Sequence, residues 1–378
     1  MILLEKEQIC LLELIKASLF GLTPVIPDNV YWEKVLDLAT IQCIVPLVAS
    51  CVPEEHRNGW LEISCQSKAH FIKILYEQNS LLNLFRSNNI PFVILKGTAA
   101  SIYYQSPFSR TFGDIDFYVP SNQADTAKIL LEENGYVYLS SDERHHEFEK
   151  NGIDFELHSK IGSKHYSDVE HVFKKGFENA VEYKLGSFSF PGLPTYENGL
   201  VLLGHIMQHL KASGIGLRQI IDWMMFVHKN LDDSAWENSF RALSVEAGLE
   251  KLAVSVTFLC KKWLGLPDDI SWCDEADVEV VDQLLIRLLD DGNFGQDRAP
   301  YENIRISIKQ EGLFKHLQRC GIENWNLAQR YSIFRSFAWL YQFFRYAGQG
   351  LVRLFTGKKV FKNDKQSISL EALWKDLE

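Results

Sequence analysis

The chain has 378 residues, of which 46% are hydrophobic and 23% are charged, a composition typical of a globular protein with two or three domains. Its formal net charge of -10 argues against a nucleic-acid partner, because a protein that follows phosphate backbones needs a broad basic face. Seven scattered cysteines without a CxxC pair, no signal peptide and no run of ~18 apolar residues predict a cytoplasmic protein with reduced thiols.

The first 88 residues are predicted to be helical. Apolar residues recur at helical spacing from Ile2 to Leu19 and again from Trp60 to Phe85. The sequence Asn88-Asn89-Ile90-Pro91 then breaks the pattern. We therefore predict an N-terminal helical region over residues 1–88.

Residues 89–192 are predicted to alternate strands and helices. A helix is expected over 122–133, and Asn151-Gly152 predicts a β-hairpin. Strands are expected over 92–95, 113–119, 146–149, 153–158 and 183–190. Helical spacing returns after residue 194 and continues through the rest of the chain. The predicted fold class is α+β, with a small mixed sheet over 89–192 between an N-terminal helical region and a C-terminal helical domain over 193–378.

The strand over 113–119 carries Asp114-Ile115-Asp116, the most informative feature of the sequence. Alternate residues of a strand face the same side, so both carboxylates share one face. Two carboxylates about 7 Å apart in an apolar strand are costly to leave unpaired, and a divalent metal offsets that cost. The competing interpretations are a surface turn or an ion pair with Arg110.

Three other segments carry residues that suit the binding of a phosphorylated substrate. Lys96-Gly97-Thr98 ends a strand, where glycine allows a phosphate to approach and the N–H groups of the next helix favour an anion. Lys96 either neutralises phosphate or reaches solvent over a packed stem. Arg110 can bind a phosphate bidentately. Asp154, Glu156 and His158 alternate on a later strand, where a third carboxylate can complete a metal site and deprotonate an attacking hydroxyl.

In this order the motifs resemble a bacterial family of uncharacterised nucleotidyltransferases within the polymerase-beta-like superfamily. The resemblance covers about residues 90–230 and rests on 95–97, Arg110, 113–116, 156–158 and 217–222. It implies that Asp114 and Asp116 bind Mg²⁺ with Glu156 as the third acidic residue, and Asp154 remains the alternative. It also implies that Gly97 and Thr98 hold the triphosphate.

The reaction implied is Mg²⁺-dependent transfer of a nucleoside monophosphate from a nucleoside triphosphate to an acceptor hydroxyl or phosphate. Two Mg²⁺ ions are expected, with Glu156 helping to deprotonate the acceptor. The acceptor can be a small molecule, a saccharide or a lipid-linked group. ATP binding is expected, although the sequence does not specify which nucleotide is transferred. One alternative is a glycosyltransferase that binds a sugar nucleotide through Asp-x-Asp, although its usual βαβ half before the motif is missing. The other alternative is a non-catalytic nucleotide-binding or interaction module.

The predicted C-terminal helices raise further interpretations. Arg218 and Asp222 are four residues apart, so Arg218 either pairs with Asp222 or lies near the nucleotide phosphates. His205 and His209 also share a helix face, but two histidines without a third ligand do not predict a metal site. The segment 324–363 has seven basic residues and no acidic one. We interpret it as a core-packing helix with a basic outer face, the alternative being peripheral contact with an anionic membrane or substrate.

Overall fold

The structure is a computed structural model that describes residues 3–141, 145–162, 167, 169–211, 214–292, 312–324, 332–344 and 377. These residues form two compact units, one within Met1–Asp297 and Ser369–Glu378 and the other within Arg298–Ile368. The predicted division into 1–88, 89–192 and 193–378 stays a prediction. All the candidate site residues named above lie in the first unit.

In the described part of the chain, four α-helices precede the sheet, within the region predicted to be helical. They are α1 (Lys6–Phe20), α2 (Trp32–Ile41), α3 (Val45–Val48) and α4 (Asn58–Ser87). Helix α4 buries Phe71, Ile74 and Phe85 in the same hydrophobic cluster as Phe117 of the sheet, and the Phe85 and Phe117 ring centroids are 5.6 Å apart. The apolar face predicted from helical spacing therefore covers one side of the sheet.

The described residues contain one mixed sheet of seven strands. The strands are β1 (Val93–Ile94), β2 (Asp114–Tyr118), β3 (Val137–Ser141), β4 (His145–Lys150), β5 (Ile153–His158), β6 (Val181–Leu185) and β7 (Phe188–Gly192). Their order is β3-β4-β5-β2-β1-β7-β6. Strand β2 is parallel to β5 and antiparallel to β1, which is itself parallel to β7. The mixed sheet between helical flanks confirms the predicted α+β fold class.

The register of the central strands brings polar residues together on one face of the sheet. Asp116 of β2 aligns with Glu156 of β5, and Glu147 of β4 lies opposite the same Glu156. The residues between them, such as Ile115 and Phe155, are buried on the other face, under α4. The period of two along each strand thus separates the core from the polar face.

Two strands differ from the sequence-based prediction. The strand predicted over 183–190 is a hairpin of β6 and β7, because Gly186 adopts a left-handed conformation (φ +60°) that turns the chain. Strand β3 was not predicted, since all five of its residues are exposed and no apolar alternation marks it. The predicted hairpin at Asn151-Gly152 is confirmed, with φ values of +55° and +69°.

Most of the other described helices of the first unit contribute to a second hydrophobic cluster, whereas Ala124, Ala127 and Leu131 of Ser121–Glu133 pack in the cluster of α4 and the sheet. These other helices are α5 (Gly97–Ser101), α6 (Ser121–Glu133), α7 (Glu170–Glu178), α8 (Thr195–Lys211), α9 (Leu217–Asn230), α10 (Asp233–Ala235), α11 (Arg241–Glu246), α12 (Glu250–Leu264) and α13 (Val278–Asp291). Helix α9 is the central one, because every residue from Leu217 to Val227 is buried.

The second unit is described only over residues 312–324 and 332–344, which include the helices Leu313–Asn324 and Ser332–Arg335. Most of the basic segment 324–363, with the membrane contact considered for it, therefore lies outside the described residues. Among the helices that the structure describes, none combines the length and the apolar character needed to span a membrane.

Candidate active site

A pocket of about 310 Å³ lies between the polar face of the sheet and helices α8 and α9. We call it the carboxylate pocket. Its lining comes from β2, β4 and β5, from the turn before α5, and from α8 and α9. The lining residues are Leu95, Lys96, Gly97, Arg110, Gly113, Asp114, Asp116, His145, Glu147, Glu156, His158, Lys160, Ile161, Gly162, Val201, His205, Gln208, His209 and Arg218.

The turn from β1 into α5 brings the Lys96 ammonium group into the pocket. Lys96 has φ +43° and ψ -129°, a conformation that residues other than glycine rarely adopt, and Gly97 follows with φ +21°. The Leu95 N–H donates to the Asp116 carbonyl at 2.9 Å, which anchors the start of the turn to β2. This strained turn points the Lys96 side chain at the carboxylate strand.

Asp116 is the most enclosed acidic residue of the pocket, with only 3% of its surface exposed. Its Oδ1 accepts hydrogen bonds from Lys96 Nζ at 2.7 Å and from His158 Nε2 at 2.8 Å. Burial alone would raise the pKa of Asp116, but the charge of Lys96 and the bond from His158 hold it well below its usual value. Asp116 is therefore ionised and held in one orientation.

Asp114 titrates very differently from Asp116. Burial, together with the negative charges of Asp116 and Glu156, raises the pKa of Asp114 to about 7, although Lys96 and Arg218 oppose the shift. Burial is the largest cause of this shift, and repulsion from Asp116 and Glu156 adds to it, so the ionised form of Asp114 is disfavoured. A divalent cation held by these carboxylates would offset both effects.

The donor set of the pocket fits such a cation. One ligand atom each from Asp116, Glu156 and His158 lie within 4.8 Å of one another. Asp114 shares the pocket with them, and carboxylate oxygens are ligands that Mg²⁺ prefers. The structure thus brings together Asp114, Asp116 and Glu156, the three acidic residues singled out from the sequence.

Asp154, the alternative third carboxylate, is not in the pocket. It is exposed and pairs in register with Asp114 and Glu149, two residues along β5 from the pocket-lining Glu156. Of the two candidates, the structure places only Glu156 beside Asp116. The expectation that Asp154 contributes to the metal site is accordingly not supported by its position.

Thr98 is placed differently from the expectation based on its motif. Its side chain is buried, and its hydroxyl donates to Gln78 Oε1 of α4 at 2.6 Å. Thr98 does not line the carboxylate pocket, whereas Lys96 and Gly97 do. A phosphate-binding role for Thr98 therefore stays a prediction for its backbone N–H alone.

Arg110 binds a partner that neither sequence-based interpretation named. Its Nε and Nη2 both donate at 2.8 Å to the two carboxylate oxygens of Asp222 on α9, and Tyr104 donates its hydroxyl to the same carboxylate at 2.8 Å. The pair is buried, with Arg110 only 6% exposed. Arg110 therefore joins the loop before β2 to α9.

Arg218 lines the pocket and donates to the Thr111 carbonyl at 3.2 Å.

Two histidines that the sequence did not predict as site residues line the carboxylate pocket. His205 and His209 of α8 bring their Nε2 atoms to 2.6 Å, so one ring donates to the other. Burial and the charges of Lys96 and Arg218 lower the pKa of His209 to about 3, and the pKa of His205 is also lowered, which keeps both rings neutral. The i, i+4 spacing was visible in the sequence, but their position over the carboxylates was not.

A comparison with protein-family models gives one match. A family described as "Uncharacterised nucleotidyltransferase" matches residues 28–265, which include every residue that lines the carboxylate pocket. No curated protein matches the chain.

Proposed function

The chain belongs to the family of uncharacterised nucleotidyltransferases, and we propose that it transfers a nucleoside monophosphate from a nucleoside triphosphate to an acceptor hydroxyl or phosphate. The observation that carries the proposal is the convergence of Asp114, Asp116 and Glu156 from two adjacent strands on one pocket. The order of the motifs favours a place in the polymerase-beta-like superfamily. The free cysteines of the described chain favour a cytoplasmic location.

We assign Asp114, Asp116 and Glu156 as the residues that would hold Mg²⁺. Burial and the charges of Asp116 and Glu156 disfavour the ionised form of Asp114, and a bound cation would stabilise it, which supports this assignment. When bound, the cation supplies charge neutralisation and orientation of the phosphates. Glu156 is more exposed than Asp116, so its carboxylate also suits the acceptance of a proton from the acceptor hydroxyl.

The basic residues of the pocket suit a polyanionic substrate. They come from four segments of the chain and are Lys96, Arg110, Lys160 and Arg218. Lys96 and Arg218 present positive charge to the carboxylates and would face the phosphates of a bound nucleotide. Arg110 instead acts as a positioning residue, because both carboxylate oxygens of Asp222 occupy its guanidinium. Gly97 lets a phosphate approach the turn closely.

A thermal-shift experiment tests the proposal. The melting temperature should rise when a nucleoside triphosphate, ATP first, and Mg²⁺ are present together, because a ligand that binds the folded state stabilises it. The double variant Asp114→Asn/Asp116→Asn should lose this response while keeping its fold. Asp154→Asn, on the neighbouring strand but outside the pocket, is the matched control and should respond as the wild type does.

Two results would overturn the proposal. One is a double variant that responds to Mg²⁺ and nucleotide as strongly as the wild type. The other is stabilisation by UDP-sugars and by none of the nucleoside triphosphates, which would favour the glycosyltransferase alternative.

A further inference from the structure

A second group of potential metal ligands lies on the β4 side of the carboxylate pocket. One ligand atom each from His145, Glu147 and Glu156 lie within 4.8 Å of one another. We call these residues the histidine–glutamate group. His145 and Glu147 belong to β4, whereas Asp114 and Asp116 belong to β2, so β5 separates the two sets. Glu156 of β5 is shared between them.

The register of the β4–β5 hairpin places a glutamate opposite a glutamate and a histidine opposite a histidine. Glu147 lies directly opposite Glu156, and His145 lies directly opposite His158, with the two ring centroids 5.5 Å apart. Like charges directly opposite each other destabilise an antiparallel pair. A cation between the two glutamates would turn this repulsion into attraction, and the neighbouring imidazole would supply a neutral ligand.

The distances within the group suit ligands of a single metal. His145 Nε2 lies 3.2 Å from Glu147 Oε1. Two ligand atoms that each lie about 2.0–2.2 Å from one metal are separated by roughly 3–3.5 Å at tetrahedral or octahedral angles. The Glu147 carboxylate is also oriented by the Ser140 hydroxyl, which donates to Oε2 at 2.5 Å. Such an outer hydrogen bond is typical of metal-ligating carboxylates.

We propose that His145, Glu147 and Glu156 form a second cation site, which takes a divalent first-row transition metal rather than Mg²⁺. Imidazole nitrogen suits Fe²⁺, Ni²⁺ or Zn²⁺, whereas Mg²⁺ prefers oxygen ligands alone, and Mn²⁺ serves below as the paramagnetic probe of the site. The inference rests on the proposed function only through Glu156, which the proposed Mg²⁺ site shares. It needs neither nucleotide nor acceptor for its test.

Electron paramagnetic resonance of Mn²⁺ tests this site on the metal-free full-length protein. Free Mn²⁺ gives a sharp signal that is lost on binding, so a titration counts the bound ions. One Mn²⁺ should remain bound in a large excess of Mg²⁺. The pulsed electron paramagnetic resonance spectrum of this ion should show coupling to the nitrogen of a coordinated imidazole. His145→Gln/Glu147→Gln should lose the retained ion, whereas Asp114→Asn/Asp116→Asn should keep it.

His146→Gln/Glu149→Gln is the matched control, because it makes the same two changes on the same strand outside the group. It should retain the ion as the wild type does. The single variant Glu147→Gln provides the same readout if the double variant does not fold. The site is refuted if the wild type retains no Mn²⁺ in excess Mg²⁺. It is also refuted if the ion persists in the double variant His145→Gln/Glu147→Gln and in the single variant Glu147→Gln. Retained Mn²⁺ without any binding of Mg²⁺ and nucleotide would instead refute the proposed function alone.

Discussion

At the scale of single residues, Lys96 combines a strained backbone conformation with a favourable ion pair of its side chain. Its φ of +43° and ψ of -129° lie where glycine is preferred, and such conformations cost about 1–3 kcal/mol. The same conformation aims Nζ at Asp116, where it makes a 2.7 Å ion pair in a buried setting. Strain of this kind is found at functional sites, and the sequence alone gave no sign of it.

A pair of substitutions separates the two contributions of Lys96. Lys96→Ala and Lys96→Gly both remove the ammonium group, but only glycine relieves the backbone. Lys96→Gly should therefore be more stable than Lys96→Ala by about 1 kcal/mol, since relief of strain exceeds the ~0.5–1 kcal/mol entropic penalty of glycine. Urea unfolding measures the difference. A glycine variant that is less stable than the alanine variant would show that the turn is unstrained.

At the scale of elements, the sequence predicts those strands in which the alternation of apolar and polar residues matches the alternation of buried and exposed positions. Strand β5 spans 153–158 as predicted, because Ile153, Phe155 and Leu157 alternate with polar residues and are buried. The Asn151-Gly152 turn sets the hairpin register, so Glu147 opposite Glu156 could also have been inferred from the sequence. The all-exposed β3 gave no such pattern.

Contacts between distant elements were beyond sequence reasoning. Asp222 was expected either to pair with Arg218 one turn away or to leave it free for phosphate. Its carboxylate instead accepts from Arg110, 112 residues distant, and from Tyr104. Spacing in the sequence identifies possible ion-pair partners only on the same helix. The buried partner of Asp222 depends instead on how α9 packs against the loop before β2.

The buried pair gives a prediction about element packing. Asp222→Asn keeps the shape of the side chain but leaves the Arg110 guanidinium buried without its counter-charge, which should lower the free energy of unfolding by about 3 kcal/mol. Glu237→Gln is the comparison, because it weakens the exposed ion pair with Arg241 and should cost much less stability than Asp222→Asn. Equal losses in the two variants, measured by urea unfolding, would contradict the structural role given to Asp222.

At the scale of the whole molecule, the helices before and after the sheet share its core. Residues of α1, α9, α12 and α13 lie in one hydrophobic cluster. Gln42, which is fully buried, donates to the Leu288 carbonyl at 2.8 Å and accepts from the Leu217 N–H at 2.7 Å. The N-terminal helices therefore belong to the scaffold that positions α9 beside the carboxylate pocket. Composition placed the chain among globular proteins but could not reveal this sharing.

Removal of the N-terminal helices tests this shared core. A chain that begins at residue 89 lacks α4, so the apolar face of the sheet, including Phe117 and Phe155, would lose its cover. We expect the shortened chain to lack a cooperative thermal transition and near-UV circular dichroism, both of which the full-length chain should show. Addition of a separately produced 1–88 segment should restore part of both signals, because it supplies the missing apolar face. A shortened chain that unfolds cooperatively without this segment would show that residues 89–378 fold independently, contrary to a shared core.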